Sequence, residues 1–315
     1  MNKAKKISMA VVATVMAGAM MSVGAQTNAN QTYFPYPLPP GTMENFYDRC
    51  NYMTEHFWDN CNFKSAFSSH ERLKGAFGDY VSMAAHANID TVMMSINNLI
   101  KSVDKSNSRN LLVLGKIARA TLLSDTSEIY SEQLYYPFAK AVAECRKIPE
   151  ADRKPFIREA RILGGTQEGM IAPNFDYVRL DGSKGRLSDL AGQRVLLFFE
   201  DPEKDSTHLL QVRLSVDYNL KQLIEKGYLT VLNIYPGKPD AEWIAKASEL
   251  PSTWTVGSST SVNDLFDLTN PPVIVYLTDE HKILSKTLDK DRLLNMLQIL
   301  NQSVKQPKVK EKVTE

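Results

Sequence analysis

The sequence predicts an all-helical N-terminal domain followed by an α/β domain. Three observations carry this. With 315 residues, 43% of them apolar, the chain is long enough for two cores. From Met43 to Leu163 apolar residues recur at helical intervals, and past Gly169 short apolar runs alternate with helical stretches. The boundaries that follow are 1–25 for a signal peptide, 26–42 for an extended leader, 43–165 for the helical domain, 169–302 for the α/β domain and 303–315 for a disordered tail.

At the start of the chain, Lys3, Lys5 and Lys6 precede an apolar run from Met9 to Met21 that ends in Val23-Gly24-Ala25, a pattern suited to cleavage before Gln26. The mature protein is therefore expected in the periplasm or outside the cell. No later apolar segment reaches the ~20 residues that a membrane-spanning helix needs. Gln26 to Thr42 is rich in Asn, Thr, Tyr and Pro, which favours an extended path lying across a domain surface. The same arm has the composition of a ligand for an aromatic groove on a partner.

In the helical part, Phe46, Cys50, Met53 and Phe57 share one stripe. Ser68 and Glu71 have capping-box spacing ahead of Leu73, Phe77, Tyr80, Val81 and Ala84. Asp90 can cap a third helix carrying Ile96, Leu99, Ile100 and Val103. Leu111, Leu114, Ile117, Ala118 and Leu122 mark a fourth, and Leu134, Phe138, Ala141, Val142 and Cys145 a fifth. Pro149 closes that one, and Asp152 to Leu163 forms a sixth before Gly164-Gly165.

Beyond Gly169, strands are expected over Asp176–Leu180, Arg194–Phe199, Leu229–Tyr235, Val273–Leu277 and Lys282–Ser285. Helices are expected over Ser206–Lys226, running through Leu209, Val212 and Val216, and over Asp240–Ala247, Val262–Phe266 and Lys290–Gln302. The charged tail from Lys305 has no apolar face.

Lys plus Arg total 37 against 36 for Asp plus Glu, so charge points to neither nucleic acid nor an anionic membrane. The five histidines lack metal-ligand spacing, and the acidic run Asp201, Glu203, Asp205, His208 lacks the glycine and distal Glu of a calcium loop. A solvated rim is the expected state of that run, with Asp205 or Ser206 capping the helix that follows. No phosphate loop or Gly-x-Ser-x-Gly elbow is present, and no cofactor is implied.

All three cysteines, Cys50, Cys61 and Cys145, precede residue 150. Cys50 and Cys145 lie on the inner stripes of two helices. An oxidising compartment allows a structural disulfide between them, and two packed thiols fit equally well. Cys61, near Phe57, Trp58, Phe63 and Phe67, reads as a packed side chain because no base accompanies it.

Ala172-Pro173-Asn174-Phe175, Leu187-Ser188-Asp189-Leu190-Ala191-Gly192, Val195 to Phe199 and Asn270-Pro271-Pro272-Val273-Ile274-Val275-Tyr276-Leu277 together resemble the thioredoxin-like family, in the branch related to peroxiredoxins and thiol-disulfide reductases. The resemblance implies an α/β/α sandwich with Pro272 at the family's cis-proline position. The stretches His56 to Phe63 and Tyr135-Tyr136-Pro137 resemble a helical domain of unknown function that precedes such domains in exported bacterial proteins.

The family's Cys-x-x-Cys would fall at Lys204 and Thr207, where no sulfur exists. Thiol-disulfide exchange needs a thiolate, so the expected role is binding rather than catalysis. The expected partner is an envelope protein or an extended peptide held beside Pro271 and Pro272. The alternative is a thiol-disulfide oxidoreductase that works through the cysteines of the helical domain.

Overall fold

The computed structural model describes residues 32–124, 127, 129–190, 193–269, 271–286 and 290–305. The expected signal peptide, the first part of the leader and the last ten residues lie outside them. The chain divides into two compact units, Met1–Arg161 and Ile162–Glu315.

The first unit contains α1 (Phe46–His56), α2 (His70–Ala84), α3 (Ile89–Asn107), α4 (Asn110–Leu122), α5 (Glu132–Glu144) and the greater part of α6 (Glu150–Gly165). The expected stripes form its core: Phe77, Tyr80, Val103, Leu114, Ala118, Phe138 and Val142 are all buried. Ile100, Ala141 and Cys145 are only partly buried, and Phe46 is 42% exposed because it lies in the first turn of α1.

Two expected caps are displaced. Helix α2 starts one residue later than the Ser68-Glu71 pairing requires, after Ser69, which makes no side-chain cap bond. Helix α3 is capped by Asn88, whose side chain accepts from the Asp90 N–H at 2.8 Å; Asp90 is in the first turn, where its charge suits the helix dipole. Pro149 ends nothing, since α5 stops at Glu144, and its carbonyl instead accepts the first amides of α6 from Asp152 and Arg153.

The described part of the leader lies across this unit, as its composition predicts. The Tyr33 hydroxyl donates to the Ala66 carbonyl at 2.8 Å and the Tyr36 hydroxyl to Asp79 at 2.8 Å. Phe34 packs against Phe57 and Trp58 with ring centroids 5.7 and 5.5 Å apart.

Helices α4, α5 and α6 meet closely at Gly115, where an added Cβ would come within 2.6 Å of the Val142 methyl and 3.1 Å of the Phe156 ring. A Gly115→Ala substitution gains about 1 kcal/mol of helix propensity. It forces a stiff β-branched neighbour to move, which costs about 1–3 kcal/mol. A urea unfolding curve shifted to lower midpoint is the expected result.

The second unit holds a seven-stranded sheet in the order β2-β1-β5-β4-β3-β6-β7. Its strands are β1 (Asp176–Arg179), β2 (Lys184–Arg186), β3 (Arg194–Phe199), β4 (Leu229–Tyr235), β5 (Thr255–Ser258), β6 (Val273–Leu277) and β7 (Ile283–Lys286). Strands β3, β4 and β5 run parallel, while β6 pairs antiparallel with β3. The central run Val195 to Phe199 is buried on both faces, which explains its unbroken apolar character.

Leu196 and Phe198 face a layer built from α7 (Asp205–Ser215), α8 (Tyr218–Glu225), α9 (Ala241–Ala247) and α10 (Lys290–Lys305). Val195, Leu197 and Phe199 face Phe175, Val262 and Phe266.

The helix expected over Ser206–Lys226 is two helices. Asp217 breaks it, and its carboxylate accepts from the Leu220 N–H at 3.0 Å as the cap of α8. The inner stripe of α7 is Leu210 and Leu214, whereas Leu209 and Val216 are exposed at 67% and 70%. Helix α10 runs through Lys305, so Ser303, Val304 and Lys305 belong to it and not to the tail expected from residue 303. Among the described residues no helix is long and apolar enough to cross a membrane.

Candidate functional site

The carboxyl ends of β3 and β4, and the turn from Glu200 to Lys204 that leads into α7, form the corner where the sequence places its degenerate redox positions. Asp201 organises the turn: its side chain accepts from the Glu203 N–H at 3.1 Å, and its own amide donates to the Thr207 hydroxyl at 3.4 Å. Lys204 is the residue before the helix and makes no side-chain cap bond. Asp205 is the first helical residue, so neither it nor Ser206 is the cap that the sequence suggested. Instead, Asp205 places a negative charge in the first turn, where the dipole favours it.

Lys204 and Thr207 lie one helical turn apart, with the Thr207 amide donating to the Lys204 carbonyl at 3.0 Å. Lys204 is exposed and Thr207 is buried. Neither can act as a nucleophilic thiolate.

The register Phe199↔Val273 places Pro272 at the same end of the sheet as Glu200, and the Pro271–Pro272 bond is cis. The corner and this loop are therefore neighbours across two paired strands. Among the described residues no group of three or more His, Cys, Asp or Glu is arranged to hold a metal, which includes the Asp201-to-His208 run.

Beneath the corner lies a polar cluster that sequence reasoning missed. Strand alternation puts Glu200 on the face of Leu196 and Phe198, pointing into the helical layer rather than to solvent. Its carboxylate accepts from Gln211 Nε2 and, at 2.5 Å, from Trp243 Nε1. Gln211 Nε2 also reaches Asn233 Oδ1 at 3.2 Å. The signal was period-two spacing, which continues one residue beyond the apolar run. Trp243, Gln211 and Asn233 come from separate segments that no local pattern connects.

The three thiols occupy the first unit, and all are free. Cys50 and Cys145 are not joined in a disulfide. Cys50 is fully buried on α1, whereas Cys145 lies just past the end of α5 with its sulfur 3.7 Å from the Ser108 carbonyl. Burial pushes the Cys50 thiol above its ordinary range and the Cys61 thiol up to about 11.

At neutral pH that leaves roughly one Cys61 in ten thousand as thiolate. In a chain carrying Cys50→Ala and Cys145→Ala, native Cys61 is expected to react with dithionitrobenzoate about 100-fold or more slowly than the unfolded chain. Equal rates before and after denaturation would contradict its burial.

Residues 16–160 match a domain of unknown function, DUF5106. No curated protein matches the chain. The structure is similar to that of a thioredoxin-like protein from Bacteroides caccae ATCC 43185, with a TM-score of 0.75 and 24% identity over 85% of this chain and 98% of that one.

Smaller matches include a conserved protein of unknown function from Bacteroides fragilis, at TM-score 0.39 and 29% identity, covering 42% of this chain and 99% of that chain. Another is the thioredoxin domain of a thiol-disulfide oxidoreductase from Bacteroides vulgatus, at TM-score 0.36 and 23% identity, covering 42% and 97%. The chain is a protein of thioredoxin-like fold whose N-terminal half is a DUF5106 region.

Proposed function

We propose that the α/β unit is a non-catalytic binding module that holds an extended segment of another envelope protein, or a free extended peptide, beside the Pro271–Pro272 loop. One observation carries this: the corner where the fold would place its sulfur chemistry holds Lys204 and Thr207, and no cysteine follows Cys145. In thiol-disulfide exchange a thiolate is both attacking and leaving group, and neither an ammonium nor a buried hydroxyl can take that part. The scaffold that positions a polypeptide does not depend on sulfur, because main-chain pairing at a strand end supplies its own hydrogen bonds.

The same reading places the mature protein outside the cytoplasm. The basic residues Lys3, Lys5 and Lys6 ahead of the apolar run support export. Alkaline phosphatase fused after Gln26 should be active in whole cells; an inactive fusion would contradict export.

Binding is tested by titrating carboxymethylated insulin B chain, an extended peptide without free thiols, into the isotopically labelled mature protein. Amide resonances of Val273, Asp201 and their neighbours are expected to move. Resonances left unmoved at millimolar peptide would sink the binding role at this loop.

A further inference from the structure

The helical layer of the second unit contains a cleft of about 470 Å³ between α7 and α9, a volume in the range of small-ligand sites. Glu200, Gln211 and Trp243 form its buried floor, and Val212, Leu250 and Pro251 add apolar wall.

The floor has an unbalanced feature. Glu200 is buried, and both of its oxygens accept from neutral donors, Gln211 Nε2 and Trp243 Nε1. Among the described residues no Lys, Arg or His lies within ion-pair distance of it. An indole N–H can only donate, so the carboxyl group presents acceptor oxygens to its surroundings. A carboxylate has about four acceptor positions, of which two are used here. A buried acceptor without a counter-charge is costly unless something supplies one.

Charges at the mouth are mixed. Asp205 and Glu249 stand with Lys204, His208 and Lys246, and Lys246 is already held by Glu242 at 2.8 Å. These exposed groups are screened by solvent, so the buried group decides the sign of the cleft. The Tyr235 phenol is stacked on Trp243. Burial first, and then Asp240, Asp201, Glu200 and Glu203, hold it above its ordinary range.

We propose that this cleft binds an organic cation, a guanidinium or ammonium group on an apolar stem, with the cationic head on Glu200 and the stem along Val212, Leu250 and Pro251. A stem of this kind covers apolar wall while its head reaches a polar partner. The head fills acceptor positions that Gln211 and Trp243 leave open. The site takes its ligand whether or not the Pro271–Pro272 loop holds a peptide, so the two readings stand or fall separately.

The test follows the Trp243 indole N–H resonance, which is bonded directly to Glu200, during titration of the mature protein. The probes are N-acetyl-arginine methylamide and its neutral near-isostere N-acetyl-citrulline methylamide. The arginine probe should move the resonance and bind about tenfold or more tightly than the citrulline probe. Glu200→Gln should abolish that preference. Val212→Lys, a change at the cleft mouth that leaves the floor intact, should weaken the arginine probe and keeps the test decisive if Glu200→Gln does not fold.

Agmatine gives the source of the cation. Binding as tight as the arginine probe indicates a free small cation, and binding only of the amide-flanked probe indicates a polypeptide side chain. Equal binding of the arginine and citrulline probes, or no response to either, would overturn the proposal.

Discussion

Replacing Trp243 by alanine is expected to destabilise the second unit by about 3–5 kcal/mol, the range for deleting a buried tryptophan. Its indole is 5% exposed, stacks on Tyr235 at 5.1 Å and supplies one of the two donors to Glu200. Trp243→Phe separates packing from hydrogen bonding: the ring body is largely kept and the donor is lost. That variant should cost about 1–3 kcal/mol, the penalty for leaving a buried acceptor short of a partner. Urea unfolding read by near-ultraviolet circular dichroism compares the two. If Trp243→Ala proved no worse than Trp243→Phe, the packed floor of the cleft would be wrong.

Installing cysteines at Lys204 and Thr207 together should turn an inert corner into a redox-active one. The two positions are three residues apart at the opening of α7, where the helix N-terminus stabilises a thiolate and the second thiol can close the disulfide. The oxidised Lys204→Cys/Thr207→Cys chain is expected to hide both new thiols from dithionitrobenzoate and to accelerate insulin reduction by dithiothreitol. The single Lys204→Cys chain should do neither. Failure of the pair to form a disulfide would show that the corner lacks the geometry of its fold.

Much of the architecture was legible because burial on both faces leaves a strong mark. Strands β3, β4 and β6 are apolar runs, and their observed bounds coincide with those expected. Strands β2 and β5 left little trace. Lys184-Gly185-Arg186 buries only its glycine, and Thr255–Ser258 is a four-residue strand whose Gly257 is held tightly against β1. An added Cβ at Gly257 would come within 2.8 Å of the Val178 carbonyl oxygen, a long-range contact with no local signature.

The division of α7 from α8 was hidden by an apolar pattern that continues through it. Asp217 carried the missing signal, as an acidic residue three positions before Leu220. At the site, the absence of sulfur was plain from the residues themselves. The buried partners of Glu200 were not, because Gln211 and Trp243 converge on it from α7 and α9, and Asn233 of β4 on Gln211, only in the folded chain.

Insulin reduction by the mature wild-type protein tests the central claim most directly, run beside a chain carrying Cys50→Ala, Cys61→Ala and Cys145→Ala. The predicted result is that both match the protein-free control. Turnover by the wild-type protein that disappears with the three cysteines would contradict it, and would make the protein an oxidoreductase working through thiols of its helical unit.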